Sequence, residues 1–217
     1  MRLGRYLVFF LIILSSFFVS SCRNEQKQQE AWNRYKELSL KLRKLEVKNE
    51  SVKSDLKNNE AEAEAVRNGL NGLAADCDVI IRDVYDPEKK ALILSLKGEA
   101  LGLANKVIPA EEVFDQAIKL APDNYEIYFR YGKIYYNSRD YKKALSKFGK
   151  ALIYVPKYKL AERIQILFYQ GDIMEKYKQF PYAEKSYKDA VEIAENYKID
   201  SVYYQEARRR LKMLEGE

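Results

Sequence analysis

Residues 128–148 read YFRYGKIYYNSRDYKKALSKF, and the small and aromatic residues inside this stretch belong to a frame that recurs along the chain. Counting from Gly132, steps of 12, 4, 3 and 5 reach Ala144, Phe148, Ala151 and Pro156. The same steps connect Gly98, Ala110, Phe114, Ala117 and Pro122, and then Gly171, Ala183, Tyr187, Ala190 and Glu195, where only the final proline is missing. Self-similarity at a fixed period is the mark of a stacked repeat array. The residue types follow from close helix packing. Glycine and alanine sit where two backbones approach, the aromatic ring fills the gap between them, and proline stops the second helix.

The frame resembles the tetratricopeptide repeat, a helical hairpin of 34 residues with the pattern W-x2-L-G-x2-Y, A-x3-F and P. Tyr128, Tyr131, Gly132 and Tyr135 fill its first-helix pattern, and Tyr141, Ala144 and Phe148 its second. The flanking copies depart from it: Lys97 and Gln170 replace the expected leucine, and five extra residues before the third copy would lengthen its first helix by more than one turn. The resemblance implies an all-α fold for residues 86–217, with repeats at about 91–124, 125–158 and 164–197. A single hairpin buries too little surface, whereas neighbours stacked in series share one core. Asp86-Pro87 is a good cap and first-turn pair for the first helix. Tyr204, Ala207, Leu211 and Leu214 form an apolar stripe that makes residues 200–215 a capping helix.

The opposite end of the chain has another character. Arg2 and Arg5 precede an apolar run from Tyr6 to Val19, the layout of a secretory signal. The run is too short for a spanning helix, which needs about 20 apolar residues. Val19-Ser20-Ser21-Cys22 resembles the lipobox of bacterial lipoproteins, which implies removal of residues 1–21 and a lipid on Cys22. The competing reading is a plain signal with an incidental cysteine. One acyl chain holds a protein to a bilayer marginally and two or more hold it firmly. Arg23 after the cysteine implies an outer-membrane address facing the periplasm. Residues 22–30 read as a polar tether.

From Ala31 to Val84 a seven-residue repeat holds. Its sixteen seam sites run from Ala31, Tyr35, Leu38 and Leu42 to Cys77, Ile80 and Val84, and only Asn49 and Asn59 among them are polar. No proline interrupts before Pro87. Residues 31–85 therefore read as one helix of about 80 Å at 1.5 Å per residue, in a left-handed coiled coil that makes the chain a homo-oligomer. Asn49 would fix register and strand number. Gly69 and Gly72, each costing about 1 kcal/mol in a helix, mark residue 70 as the place for a break. The competing reading is an amphipathic helix folded back on the C-terminal domain.

Composition narrows function. The chain has no histidine, which removes the commonest general base and metal ligand. No phosphate-binding, dinucleotide or metalloprotease motif occurs, so the expectation is a protein without cofactor or metal and not an enzyme. The net charge of +6 is mild, and acidic and basic residues are interspersed, which argues against nucleic acid as a partner. With Cys22 acylated, Cys77 could pair only with another chain. In the tetratricopeptide family the first helices of the repeats line a concave groove that takes extended peptides or short helices. Carried over by motif, that groove would present Phe129, Lys133, Tyr136, Asn137, Phe168 and Asp172, with Ser95 and Glu99 in the first repeat. The lysine and asparagine clamp by which some members grip a terminal carboxylate is replaced here by Ser95, Glu99, Arg130, Gln165 and Tyr169. Tyr128, Tyr131, Tyr135 and Tyr187 fall on packing positions. The expected function is a lipid-anchored cell-envelope scaffold that recruits a protein or peptide. The alternative is an accessory to solute transport that encloses a small hydrophobic ligand.

Overall fold

The computed structural model describes the backbone of residues 2–54 and 60–216, with side chains from residue 21 onward except those of residues 22, 53 and 54. The signal segment and the side chain of Cys22 lie outside the described side chains. Two helices lead, α1 (Arg2–Ser54) and α2 (Glu60–Ile80), and a 3-10 turn at Ile81–Asp83 follows. Then come α3 (Pro87–Leu103), α4 (Val107–Leu120), α5 (Tyr125–Asn137), α6 (Tyr141–Tyr154), α7 (Leu160–Lys176), α8 (Phe180–Tyr197) and α9 (Val202–Glu215). Helices α3–α4, α5–α6 and α7–α8 pair as successive hairpins, and α9 packs against the last of them. The architecture is all-α with tetratricopeptide-like paired-helix packing. Helices α3 and α7 have 17 residues each against 13 in α5, so a longer first helix is not peculiar to the copy with the extra residues.

The repeating frame has a direct steric cause. A Cβ built on Gly132 would lie 2.7 Å from the Phe148 ring, one on Gly98 2.9 Å from Phe114, and one on Gly171 2.6 Å from Tyr187. In each hairpin the missing side chain is thus the space that the second helix's ring occupies. Phe114, Phe148 and Tyr187 are fully buried, as are Ala110, Ala144, Ala183, Ala117, Ala151 and Ala190. Hairpin turns repeat as well. Asn105, Arg139 and Lys178 stand at matching turn positions with φ of 68°, 64° and 58°. This left-handed residue lets the next amide reach back to the helix end, as in Lys106 N to Leu101 O, Asp140 N to Tyr135 O and Gln179 N to Met174 O. Side-chain oxygens cap four helix starts: Asp86 accepts from Lys89 N, Asn124 from Glu126 N, Asp140 from Lys143 N and Ser201 from Tyr204 N. On α9 Ala207 and Leu211 are buried while Arg208, Arg209 and Lys212 are exposed, the amphipathic pattern of a terminal cap.

The N-terminal helices differ from the single coiled-coil helix that the heptads suggest. Helix α1 ends at Ser54 and α2 begins at Glu60, and the two run antiparallel. Lys41 pairs with Asp76 and Lys48 with Glu62, while Leu45 lies over Gly69. Tyr35, Leu38, Leu42, Val52, Val66, Leu70, Leu73, Cys77, Ile80 and Val84 are all buried in one core with α3, α4, α5 and α6. The seam is therefore covered within the chain, where α1 packs chiefly on α2 and α2 on α3, and the second chain that the heptads predict is not needed to bury it. Gly69 marks close packing and not a break, since a Cβ there would sit 3.1 Å from Leu45. Residues 23–30 continue α1 with hydrogen bonds from Gln26 to Glu30 and from Gln29 to Asn33. Cys77, at 1% exposure, is closed to pairing with another chain, and burial pushes its thiol up to about 12. Among the described residues, no helix is long and apolar enough to cross a membrane.

Candidate functional site: the concave surface

First helices α3, α5 and α7 line one surface of the array, and α1 lies along part of it. Trp32 stacks on Tyr35 at 4.6 Å and lies under Lys89 near the start of α3. Further along α1, Glu46 accepts from Lys133 Nζ of α5 at 3.0 Å. Beyond it, Glu46, Asn49 and Glu50 face Leu103, Tyr136, Asn137 and Arg139 across an open cleft of about 240 Å³. Helix α1 thus runs parallel to α3 and reaches past it to α5.

At the centre of this surface sits a buried charge cluster. Glu99 of α3, 3% exposed, receives Arg130 at 2.7 Å on one oxygen and the Lys133 ammonium at 2.5 Å on the other. Arg130 also pairs with Glu126, one turn earlier on α5. Burial by itself would raise the Glu99 carboxyl, but Lys133 and Arg130 outweigh it and hold the group below its ordinary value. Lys133 shows the converse balance: burial favours loss of its proton, while Glu99 and Glu46 hold it, so its affinity for the proton is raised. Such a cluster adds little net stability against an apolar replacement, but removing one partner strands a buried charge. It fixes how α1, α3 and α5 meet.

A second cluster closes the far end. Asp172 of α7 is 3% exposed and accepts from Tyr136 Oη at 2.6 Å and pairs with Lys176 at 2.9 Å. Arg210 of the cap helix approaches Asp172 at 3.9 Å and donates to Glu175 at 2.8 Å, and Tyr187 donates to the other Glu175 oxygen. Burial first, and then the hydrogen bond to Asp172, raise the Tyr136 hydroxyl above its usual range.

Of the six groove residues chosen from the sequence, the structure brings Lys133 into the first cluster and Tyr136 with Asp172 into the second. Phe129 is half-buried beside Phe148 and Tyr169, and Phe168 lies against Tyr169, Tyr187 and Tyr203. Asn137 is exposed. Ser95 and Glu99, placed in the groove of the first repeat, are covered. Tyr128, Tyr131, Tyr135 and Tyr187 are core residues. Lys150, Lys147 and Lys143 lie over the rings of the first three at 5.3, 4.1 and 4.9 Å, so these tyrosines carry packing and cation–π contacts on the side away from the groove. Sequence reasoning missed Glu46 and Arg210 as the partners of Lys133 and Asp172. Glu46 occupies a heptad flank and Arg210 sits in a basic run, and each pattern also describes a solvated face. Among the described residues, no group of three or more histidines, cysteines, aspartates or glutamates is arranged to hold a metal ion.

With this geometry in place, comparison with known proteins is direct. Residues 125–158 match the family described as Tetratricopeptide repeat. The chain contains a tetratricopeptide repeat. The matched segment is α5–α6 with its flanking turns, where the glycine and aromatic frame is most complete. Among solved structures, the crystal structure of BtubC (BKLC) from P. vanneervenii is similar with a TM-score of 0.54 and 13% identity, over 82% of this chain and 82% of that one. At that identity the likeness is one of fold. No curated protein matches the sequence.

Proposed function

We propose that this tetratricopeptide-repeat protein is a scaffold of the bacterial cell envelope, tied to a membrane by lipid on Cys22 and recruiting a protein partner at its concave surface. The observation that carries the recruiting role is the stack of hairpins, each closed by a ring seated on a glycine, which presents three first helices side by side. Phe129, Lys133, Tyr136, Asn137, Phe168 and Asp172 are the residues we assign to this surface; Asn137 is exposed on it, whereas Asp172 is covered and Lys133 is held by Glu99 and Glu46. The anchor rests on the sequence Val19-Ser20-Ser21-Cys22 after the apolar run. A lipid on Cys22, where α1 would begin once residues 1–21 are removed, would hold the array at a bilayer, and the outer membrane with its periplasmic face is the location that Arg23 favours. Homo-oligomerisation would need a surface other than the heptad seam, which is spent within the chain.

Two experiments test the reading. A Cys22→Ser chain should lose its membrane association in a carbonate wash; retention in the pellet would refute the anchor. A photoreactive residue at Asn137 or Phe129 should capture protein in cells, and a yield no greater than at outward-facing Lys142 would refute the groove. The solute-accessory reading draws on a second cleft of about 310 Å³ lined by Val52, Leu103, Val107 and Ile134 among others. Native mass spectrometry of the purified chain would reveal a retained small molecule if that reading holds.

A further inference from the structure

The end of the array at which α3, α5 and α7 begin carries apolar side chains that the fold leaves in solvent. Ile153 at the end of α6 and Tyr158 in the turn to α7 are 77% and 78% exposed, and Tyr154 is 37% exposed. Packing does not call for isoleucine at 153. At the same place in the frame the first hairpin has Lys119 and the third has Glu192, the polar choice of a solvated helix face. Charge around these side chains is mostly of one sign. Residues 150–163 hold Lys150, Lys157, Lys159 and Arg163 against Glu162 alone, and Glu162 pairs with Lys159 at 3.3 Å. Of the acids in the preceding turn, Glu126 is held by Arg130, which leaves Asp123. Helix α1 points to this end as well. Trp32 lies under Lys89 near the start of α3, and Glu46 reaches Lys133 late in α5, so the backbone before Trp32 projects past the starts of α3 and α5. Helix α6 runs back along α5 and stacks Tyr154 on Tyr128 there, at 5.6 Å.

We propose that the end of α6 and its turn to α7 form a bilayer-facing surface, in which Ile153 and Tyr158 enter the headgroup layer of an anionic membrane while Lys150, Lys157 and Lys159 meet its phosphates. For orientation this rests on the reading of Cys22 as the anchor; the surface's own attraction to lipid does not depend on it. Apolar and aromatic tips among lysines suit the boundary between water and acyl chains, and binding there grows with buried apolar area and with charge. The phosphates of a nucleic acid would satisfy the lysines and leave Ile153 in water. Geometry allows the contact. A lipid on Cys22, ten residues before Trp32, would lie about 15 Å beyond the array's end along a helix. Helix α6 lies behind α5, about two helix spacings of roughly 8–10 Å from α1, so a lean of about 40° brings the connector to the bilayer. The array then leans on the membrane, with the turns at Asn105, Arg139 and Lys178 facing away from it.

The test places an environment-sensitive fluorophore on Ile153→Cys, on Tyr158→Cys and, at the opposite end, on Ile108→Cys, where the side chain is 71% exposed. Cys77 is buried against labelling. The full chain purified from cells is mixed with vesicles of phosphatidylethanolamine and phosphatidylglycerol whose acyl chains carry a nitroxide quencher. Quenching at 153 and 158 should exceed that at 108 by at least about threefold, and the contrast should shrink in phosphatidylcholine vesicles and at high salt. Ile153→Ser with Lys157→Glu, both at exposed positions, should bring quenching at 158 down to that at 108. Equal quenching at all three sites in the unaltered background would overturn the proposal. So would shielding of 153 and 158 that is independent of the quencher and comes with a doubled mass in sedimentation, because a second copy would then cover the patch. A chain stripped from membranes by carbonate that keeps the quenching contrast would refute the anchor and uphold the surface; a chain that stays in the pellet without the contrast would do the reverse.

Discussion

Replacing Gly132 by alanine separates two effects of opposite sign, and the structure gives the size of each. In the middle of α5 the change should stabilise the helix by about 0.5–1 kcal/mol through lost backbone freedom in the unfolded chain. Against that, the new Cβ would sit 2.7 Å from two carbons of the Phe148 ring. The ring cannot swing away. Phe148 is fully buried, stacked on Tyr169 at 5.1 Å and packed beside Phe129 at 5.9 Å. Overpacking costs about 1–3 kcal/mol, and against a fixed ring at this distance the upper part of that range, about 2–3 kcal/mol, applies, so the net effect is a loss of about 1–2.5 kcal/mol. With a urea slope of about 2 kcal/mol per molar, the unfolding midpoint should fall by roughly 0.5–1.2 M. Gly149→Ala is the control, because nothing lies within 4 Å of its added Cβ, and it should be neutral or stabilising. Gly171→Ala, at 2.6 Å from the Tyr187 ring, should cost at least as much as Gly132→Ala, and Gly98→Ala, at 2.9 Å, somewhat less. Equilibrium denaturation followed by circular dichroism reads all four. A Gly132→Ala chain as stable as wild type would refute the argument that the glycine exists to seat the ring.

Other outcomes follow from the buried charges, the thiol and the turns. Glu99→Gln should destabilise by about 1.5–3 kcal/mol, because Lys133 and Arg130 lose a buried counter-charge while keeping Glu46 and Glu126; a change under about 0.5 kcal/mol in the same denaturation assay would contradict the cluster's role. Since the folded state holds the Glu99 carboxyl below its ordinary value of 4.5, its stabilisation is fully present above that pH and is lost as pH falls through the lower folded value. Midpoints measured from pH 7 to pH 3 should therefore fall less steeply in Glu99→Gln than in wild type. Cys77 should resist alkylation in the native chain and react only on unfolding, since its thiol is buried and pushed up to about 12; rapid native labelling would contradict the packing of α2. Arg139→Gly should stabilise by up to about 1 kcal/mol, because Arg139 sits at a φ of 64° that favours glycine.

The repeats were legible because their signal is steric and local. A ring can seat against a helix backbone only where that backbone lacks a side chain, so a glycine must stand at a fixed distance before it, and Gly98, Gly132 and Gly171 each face the ring so placed. The cap at Asp86 and the stripe of Ala207 and Leu211 were legible for similar reasons. The N-terminal half was not. A heptad seam of Tyr35, Leu38 and Leu42 records that one face is buried and is silent on whether the cover comes from the same chain or another. Glycine misled as well, since at Gly69 it signals close approach of Leu45 and the helix ends at Ser54. Beyond that end only the weak helix formers Asn58 and Asn59 gave a local hint. The groove was half legible. Motif position placed Lys133 and Asp172 on the right surface, but their partners Glu46 and Arg210 are 87 and 38 residues away in sequence, and pairings over such distances leave no trace in a single chain.

Burial of the heptad seam within one chain, with α1 reaching α5 of the same molecule, is the claim on which the structural account turns, and zero-length carbodiimide crosslinking of an equal mixture of unlabelled and 15N-labelled chains tests it most directly. The Glu46–Lys133 pair at 3.0 Å should yield a crosslinked peptide whose two halves always carry the same isotope. Mixed-isotope peptides in statistical proportion would place α1 on a neighbouring molecule and contradict the account.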